Sequence, residues 1–187
     1  MRNRIILILT LLLSVLNPVL AQDSDMTANE RQAKRIFNQA YQQVFGEQGA
    51  KLHYDVNIIG IYKTSGTIWF KGKKKKKKEV EVRSAKNNKQ DKYSGKFKFL
   101  PENFDYSVAN DEEGLMLTLK AKKGAKGIKE VHALVKRQTY EPIRVRIKIS
   151  IIWTTIKISD FQSGDITDEM LSFPKEQYKD YKFVDKR

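Results

Sequence analysis

Few residues of this 187-residue chain have the chemistry for catalysis or metal binding. The absence of cysteine excludes a thiolate metal site, a cysteine nucleophile, a disulfide framework and a lipid-anchored cysteine. The two histidines, His53 and His132, both fall in the polar phase of alternating stretches and have no evident catalytic partner. The carboxylates Asp111, Glu112 and Glu113 are consecutive and lie in a predicted turn. We therefore expect no enzyme active site, no metal site and no cofactor.

A run of lysines is the other feature with evident chemistry. Residues 71–78 contain seven lysines in eight positions, in a chain with 36 Lys+Arg, 22 Asp+Glu and a net charge of +14. Mutual repulsion predicts that the run lies in water as a solvated loop or exposed strand end. A second interpretation is a patch for anionic lipid headgroups, where each lysine adds about 1 kcal/mol. Nucleic acid is a third, which no recognition motif supports. The candidate headgroup contacts are Lys73, Lys74, Lys75, Lys76, Lys77 and Lys78.

The first 21 residues predict a cleaved export signal that is not part of the fold. Arg2 and Arg4 form a positive start, Ile5–Leu16 is an apolar run, and small residues precede the predicted cleavage before Gln22. The apolar run is shorter than the roughly 20 residues that a membrane-spanning helix needs. We expect a single exported domain, residues 22–187, in the periplasm.

An amphipathic helix is predicted next. Thr27 and Glu30 have the spacing of a capping box, and Gly46 is a typical helix stop. Between them, apolar residues recur at intervals of three and four, which places them on one helix face. That face suits packing against a sheet, and a lid over a ligand cavity would show the same pattern. The apolar residues are Ala33, Ile36, Phe37, Ala40, Tyr41, Val44 and Phe45.

After the helix, the pattern changes to the two-residue period of β-strands. The alternating stretches are residues 52–62 (with Ile59 and Ile61 interrupting the polar face), 66–72, 97–99, 104–108, 115–121, 131–135 and 143–161. Near Ile151–Thr154 the alternation of apolar and polar residues changes phase, which indicates a β-bulge or a tight hairpin. Tyr181–Arg187 is a candidate closing strand. No helical crossover interrupts the strands, so they are expected to pair antiparallel. We predict a mainly β protein, an open and strongly curved antiparallel β-barrel covered by the N-terminal helix.

Several stretches resemble the periplasmic outer-membrane lipoprotein carrier proteins (LolA-like). Gly66–Gly72 is similar to a family strand of the pattern G-x-hydrophobic-W-hydrophobic-K. Gly114–Lys120 is similar to the middle strand of the family. Ile156–Asp168, followed by Leu171–Pro174 and Val184–Arg187, resembles the C-terminal series of the family in order and spacing. The family's hairpin of type D-G-K-x-hydrophobic-W is not found after the first of these strands. We therefore expect the sheet to lack a strand pair there.

This resemblance implies a carrier or chaperone without catalytic chemistry. The family holds the acyl chains of lipoproteins in the apolar interior of an open barrel. It implies that this chain is a monomer that carries lipoproteins or lipids to the outer membrane, with an inner-membrane release complex and an outer-membrane acceptor as partners, and without nucleic acid. The alternative is a non-enzymatic envelope module whose basic face binds anionic lipid headgroups or polysaccharide.

The in-phase apolar positions predict where an acyl chain would bind. Burying each CH₂ group of such a chain contributes about 0.8 kcal/mol, so even an open apolar groove binds one. The same positions would equally form an ordinary core. The predicted cavity residues are Ile36, Phe37, Tyr41, Val56, Ile58, Ile68, Phe70, Leu117, Leu119, Val145 and Ile147.

Overall fold

The computed structural model describes residues 26–58, 62–72, 79–86, 89–96, 101–125 and 127–172. The predicted export signal, the lysines Lys73–Lys78 and the predicted closing strand lie outside these residues. The described helices are α1 (Ala28–Phe45), a single 3-10 turn (Pro101–Asn103) and α2 (Asp168–Leu171). The described strands are β1 (Ala50–Ile58), β2 (Tyr62–Gly72), β3 (Glu79–Lys86), β4 (Lys89–Lys96), β5 (Phe104–Asn110), β6 (Leu115–Ala121), β7 (Ile128–Val135), β8 (Pro142–Ile149) and β9 (Ile152–Ser163). None of the described helices combines the length and the hydropathy that a bilayer span requires.

The nine described strands form one antiparallel sheet in the order β4-β3-β2-β1-β9-β8-β7-β6-β5. Every neighbouring pair is consecutive in the chain except β1 and β9, whose pairing joins the two halves of the sheet. β4 and β5 are its two edges and do not pair with each other, so the barrel is open. The predicted fold class, an open antiparallel barrel with a helical cover, is confirmed.

The position of α1 shows how strongly the sheet curves. Phe45 packs edge-on against Phe70 of β2 with ring centroids 5.0 Å apart, and Phe37 packs against Tyr106 of β5 at 5.7 Å. β2 and β5 are six strand positions apart, which is about 29 Å across a flat sheet. Phe37 and Phe45, in contrast, lie only about 12 Å apart along the helix axis. The sheet therefore wraps around α1, and the apolar face of the helix fills its concave side.

The helix begins and ends where the sequence predicts. Thr27 Oγ1 accepts a hydrogen bond from the Glu30 N–H (3.2 Å) and Glu30 Oε2 accepts one from the Thr27 N–H (2.7 Å), which completes the capping box. At the other end, the Gly46 carbonyl accepts from the Gly72 N–H at 3.0 Å. A Cβ atom at Gly72 would lie 2.5 Å from the Phe45 carbonyl oxygen. Glycine therefore permits the close approach of β2 to the end of the helix.

The strand pair expected to be missing is present. β3 pairs with β2, and β4 pairs with β3 at the edge of the sheet. The sequence conceals β4 because Lys89–Lys96 shows no alternation of apolar and polar residues. An edge strand is held by its main-chain hydrogen bonds to one neighbour, and a charged sequence protects that edge from pairing with other chains. The expectation of a sheet lacking this pair is therefore wrong.

The change of phase near residue 151 is a tight hairpin. Ile149 pairs directly with Ile152, so the turn between β8 and β9 has two residues. Ser150 has a φ of 56°, the left-handed conformation that two-residue hairpins require. Ile151 at the tip is 85% exposed. The usual turn residues Gly, Asn and Asp are absent here, which is why the sequence left a bulge and a hairpin equally open.

Candidate functional site

The concave face beneath α1 gathers the residues predicted to line a cavity. Tyr41 is half-buried on the helix, and its ring lies 6.4 Å from that of Phe37 and 4.6 Å from that of Phe45. Phe37 and Ile58 are partly buried and pack against the same cluster. The remaining eight predicted residues are buried members of that cluster: Ile36, Val56, Ile68, Phe70, Leu117, Leu119, Val145 and Ile147. Their role as cavity lining stays a prediction, because a core would be built in the same way.

Strand register explains why residues so distant in sequence meet there. Leu117 of β6 is opposite Ala133 of β7, which is opposite Val145 of β8. Val145 in turn is opposite Ile156 of β9, and Ile156 is opposite Val56 of β1. Because side chains alternate between the two faces of a strand, this row continues as one apolar surface across five strands. The concave face is therefore a single surface.

Aromatic side chains connect the helix to both halves of the sheet. Phe37 contacts Tyr106 on β5, Phe45 contacts Phe70 on β2, and Tyr41 lies between the two helix phenylalanines. Burial raises the pKa of both tyrosine hydroxyls far above the usual range, with a further contribution from Glu102 at Tyr106. Both therefore stay neutral. Phe45 and Tyr106 were not among the predicted cavity residues, although both lie in the apolar phase of their elements.

Hydrogen bonds at its two ends hold α1 to the sheet. At the first turn, Asn29 Nδ2 donates to the Val108 carbonyl at 2.8 Å and Asn29 Oδ1 accepts from the Val108 N–H at 3.0 Å. At the last turns, Gln43 Nε2 donates to the Thr139 carbonyl, and Ser163 Oγ donates to the Gln43 carbonyl at 2.9 Å. Between these ends the inner face of the helix contacts the sheet through buried apolar side chains. The helix is thus a cover attached at its first and last turns.

Two threonines interrupt the apolar character of the concave face. Thr154 is 2% exposed and pairs across from Ile58. Thr64 lies opposite Val56, and its buried Oγ1 has no hydrogen-bond partner in the part of the chain that is described. An unsatisfied buried hydroxyl costs about 1–3 kcal/mol. This end of the concave face therefore holds a polar atom that a ligand could pair with.

The convex face has a different chemistry, which the sequence analysis did not identify as a site. An open cavity of about 340 Å³ lies there, lined by Met116, His132, Leu134, Arg144, Arg146, Thr155 and Lys157. Trp153 lies beside it, with the Arg146 guanidinium 4.8 Å and Lys148 Nζ 5.7 Å from the ring centroid. The signal in the sequence was the polar phase of the Ile143–Ile149 alternation, which consists of cations.

The histidines lie on strands, with their side chains in the outward phase, as expected. His53 Nδ1 lies 3.5 Å from Thr67 Oγ1. His132 Nε2 lies 2.7 Å from Glu130 Oε1, a partner that the sequence analysis missed although both residues share one face of β7. Among the described residues there is no group of three or more side chains that could hold a metal ion.

The sequence matches neither a protein-family model nor a curated protein. Among solved structures, a crystal structure of MucB aligns with a TM-score of 0.55 at 10% identity over 78% of this chain and 64% of MucB. The MucA/MucB complex of Pseudomonas aeruginosa aligns with a TM-score of 0.52 at 10% identity, over 78% of this chain and 62% of the other. This chain thus spans less than two thirds of the length of the chain it matches in each of these two structures.

A LolA superfamily protein from Nitrosomonas europaea also matches, at 8% identity over 75% of this chain and 97% of the other, with a TM-score of 0.33. That score is too low to support an argument, and identities near 10% relate these proteins by fold alone. The open sheet and its helical lid, described above, are the features that the resemblance predicted. The fold of this chain is thus similar to that of MucB.

Proposed function

We propose that this protein is a periplasmic carrier that binds the acyl chains of lipoproteins or lipids between α1 and the concave face, for transfer to the outer membrane. One observation carries the proposal. A single apolar surface runs across the sheet beneath a helix whose hydrogen bonds to the sheet lie at its first and last turns. A helix attached in this way can move away from the sheet while its ends guide its return.

The energetics of exchange support reversible binding. Four large apolar side chains of the helix (Ile36, Phe37, Val44 and Phe45) belong to the buried cluster or pack against it, and Tyr41 packs against Phe37 and Phe45. Each of these five side chains contributes about 2 kcal/mol by burial, roughly 10 kcal/mol in all. A 16-carbon acyl chain that took their place would contribute about 12 kcal/mol at about 0.8 kcal/mol per CH₂. The two are nearly balanced, so a loaded carrier could release its cargo to an acceptor that binds it more tightly.

The chemistry of the concave face also suits an acylated ligand. Thr154 is the one polar residue that is fully buried in the described part of the chain, and no charged residue is buried there, so the concave face offers no buried counter-ion to a free carboxylate. The unpaired hydroxyl of Thr64 can instead donate to a neutral ester or amide carbonyl. This favours chains attached through an ester or amide over free fatty acids.

A single-cysteine label tests this proposal directly, because the native chain has no cysteine to compete. Phe37→Cys, labelled with a polarity-sensitive dye, reports on the space beneath the helix, and Thr118→Cys on the convex face is the matched control. A saturable blue shift is expected at position 37 on addition of a diacylated lipopeptide, with none at position 118. If position 37 does not respond, and no lipid is extracted from protein purified from the periplasm, the proposal is wrong.

We further propose that the carrier is a non-enzymatic monomer without a cofactor. In support of the first of these points, His132 Nε2 lies 2.7 Å from Glu130 Oε1, so this ring nitrogen is engaged by a neighbour on the same strand. Its partners would be an inner-membrane release complex and an outer-membrane acceptor. Incubation of a bound lipopeptide followed by mass spectrometry is expected to return it chemically unchanged.

A second candidate is an envelope module whose basic face binds anionic lipid headgroups or polysaccharide. The cations on the convex face favour it, and the complex of MucB with MucA is an example of a similar fold that binds another molecule. Such a module would bind anionic vesicles in a salt-sensitive manner while the label at position 37 gave no response. That pair of results would favour this candidate over the carrier.

A further inference from the structure

Positive charge is crowded on the convex face, and no ion pair within the described residues compensates Arg144 or Lys157. Arg144 and Arg146 are two residues apart on β8, about 7 Å, and share one face. Arg144 is also directly opposite Lys157 on β9, where like charges destabilise a sheet. Neither the Arg144 nor the Lys157 side chain makes a hydrogen bond or an ion pair within the described part of the chain. Asp55 is the register neighbour of Lys157 on β1, yet it forms no ion pair with it.

The cavity between these cations combines charge with an apolar floor. Leu134 is fully buried and, with Met116, forms its apolar part, while Thr155 adds a hydroxyl. The described residues that line it include no carboxylate, and the neighbouring Glu130 pairs with His132 at 2.7 Å.

Arg146 is held by an aromatic ring, and it makes no ion pair with any described carboxylate. Its guanidinium carbon lies over the Trp153 ring, 4.8 Å from the ring centroid, and this contact restricts the position of the group. A stacked guanidinium keeps its N–H edge free to donate two parallel hydrogen bonds. The cavity therefore offers two guanidinium groups, an ammonium and a hydroxyl to one anion.

We propose that this cavity binds a phosphate monoester. Such a group carries a charge of about −1.5 to −2 near pH 7 and three terminal oxygens, which matches two arginines and a lysine better than a singly charged carboxylate does. The ester carbon and its substituent would lie against Leu134 and Met116. A cavity of about 340 Å³ has room for the phosphate together with a small organic group. The site lies on the face opposite α1, so it does not depend on acyl-chain binding.

Calorimetric titration with glycerol phosphate tests this site. Arg144→Gln and Lys157→Gln should each weaken binding about tenfold or more, because each removes a charge-assisted hydrogen bond. The matched control is Lys120→Gln, which removes the same charge from an exposed position of the same face outside the cavity and should change affinity less than twofold. Thermal unfolding of each variant checks the fold, and Arg144→Gln should not lower the melting temperature because it relieves repulsion.

Vesicles distinguish a soluble phosphate ester from a lipid headgroup. If glycerol phosphate binds and vesicles containing phosphatidic acid do not recruit the protein, the ligand is soluble. If such vesicles recruit the protein, vesicles of phosphatidylcholine do not, and recruitment falls with Arg144→Gln but not with Lys120→Gln, the ligand is a headgroup. Equal losses for both variants, or no binding in either assay, would overturn the site without affecting the result from the label at position 37.

Discussion

The hydrogen bonds of Asn29 allow a quantitative test of the lid. Its side chain supplies both a donor and an acceptor to the Val108 backbone, at 2.8 and 3.0 Å, on β5, which is an edge of the sheet formed by the described strands. Each bond contributes about 1 kcal/mol net. Asn29→Ala removes both bonds, and the better helix propensity of alanine restores about 0.6 kcal/mol. We expect a net loss of about 1.5 kcal/mol, which is roughly a tenfold shift towards the open lid.

Hydrogen exchange of the α1 backbone amides measures that shift. Amides that exchange when the lid leaves the sheet should exchange about tenfold faster in Asn29→Ala. Amides of β8 and β9 should change much less, because the sheet stays paired when the helix moves. The dye at position 37 should also respond faster to a diacylated lipopeptide, since more of the protein is open at any moment.

Asn29→Asp is the matched control for this experiment. It keeps the acceptor for the Val108 N–H and loses the donor to the Val108 carbonyl. Its negative charge in the first turn stabilises the helix by about 0.3–1 kcal/mol through the helix dipole. Its exchange rates should therefore lie between those of the native protein and Asn29→Ala. Unchanged exchange in Asn29→Ala would refute the assignment of this contact as a lid clamp. A uniform increase across helix and sheet would show that it supports the whole fold instead.

Three further changes test the local structure. The hydrogen bond from the Thr27 backbone, and after it the one from the Thr27 hydroxyl, lowers the pKa of Glu30 below its usual value of 4.5. The unfolding free energies of the native protein and Glu30→Gln, measured in urea, should therefore differ above that pH and converge as the pH falls below the pKa of Glu30 in the folded protein. A difference that does not change with pH would contradict this. Gly66→Ala places a Cβ atom 2.6 Å from a backbone oxygen of β3, so it should lower the free energy of unfolding by about 1–3 kcal/mol. An unchanged free energy of unfolding would show that the β3 backbone moves to make room at little cost. Ile151→Ser at the exposed hairpin tip should change that free energy by less than about 0.5 kcal/mol, and a larger loss would reveal packing at the tip.

The elements that the sequence predicts well are those with a strong local signal. The N-terminal helix follows from its capping box and apolar stripe, and the observed cap has both predicted hydrogen bonds. β8 follows from an uninterrupted alternation in which Val145 and Ile147 are buried. In both cases local propensity and tertiary packing favour the same conformation, so the local pattern suffices.

The features that the sequence conceals depend on pairing between distant residues. β4 has no apolar face, and its place as a strand follows from its register with β3. The cationic cavity depends on Arg144 of β8 lying opposite Lys157 of β9. The sequence does not determine this register, because the change of phase between the two residues fits either a bulge or a hairpin. A hairpin of two residues places these charges together, whereas a bulge would have shifted their register.

The concave face shows why a core and a binding cavity share one sequence pattern. Burial stabilises an apolar side chain by the same amount whether its neighbour is a leucine or an acyl chain, so alternation at Val56 or Leu117 identifies the face and not its occupant. Which of the two occupies the face depends on the difference between two nearly equal free energies, that of the helix packing on the sheet and that of an acyl chain binding in its place. Bonds of about 1 kcal/mol each, such as those of Asn29 and Ser163, are then large enough to shift the balance. The residues that control carrier function are therefore expected among the polar contacts at the two ends of α1, outside the apolar face that would bind the cargo.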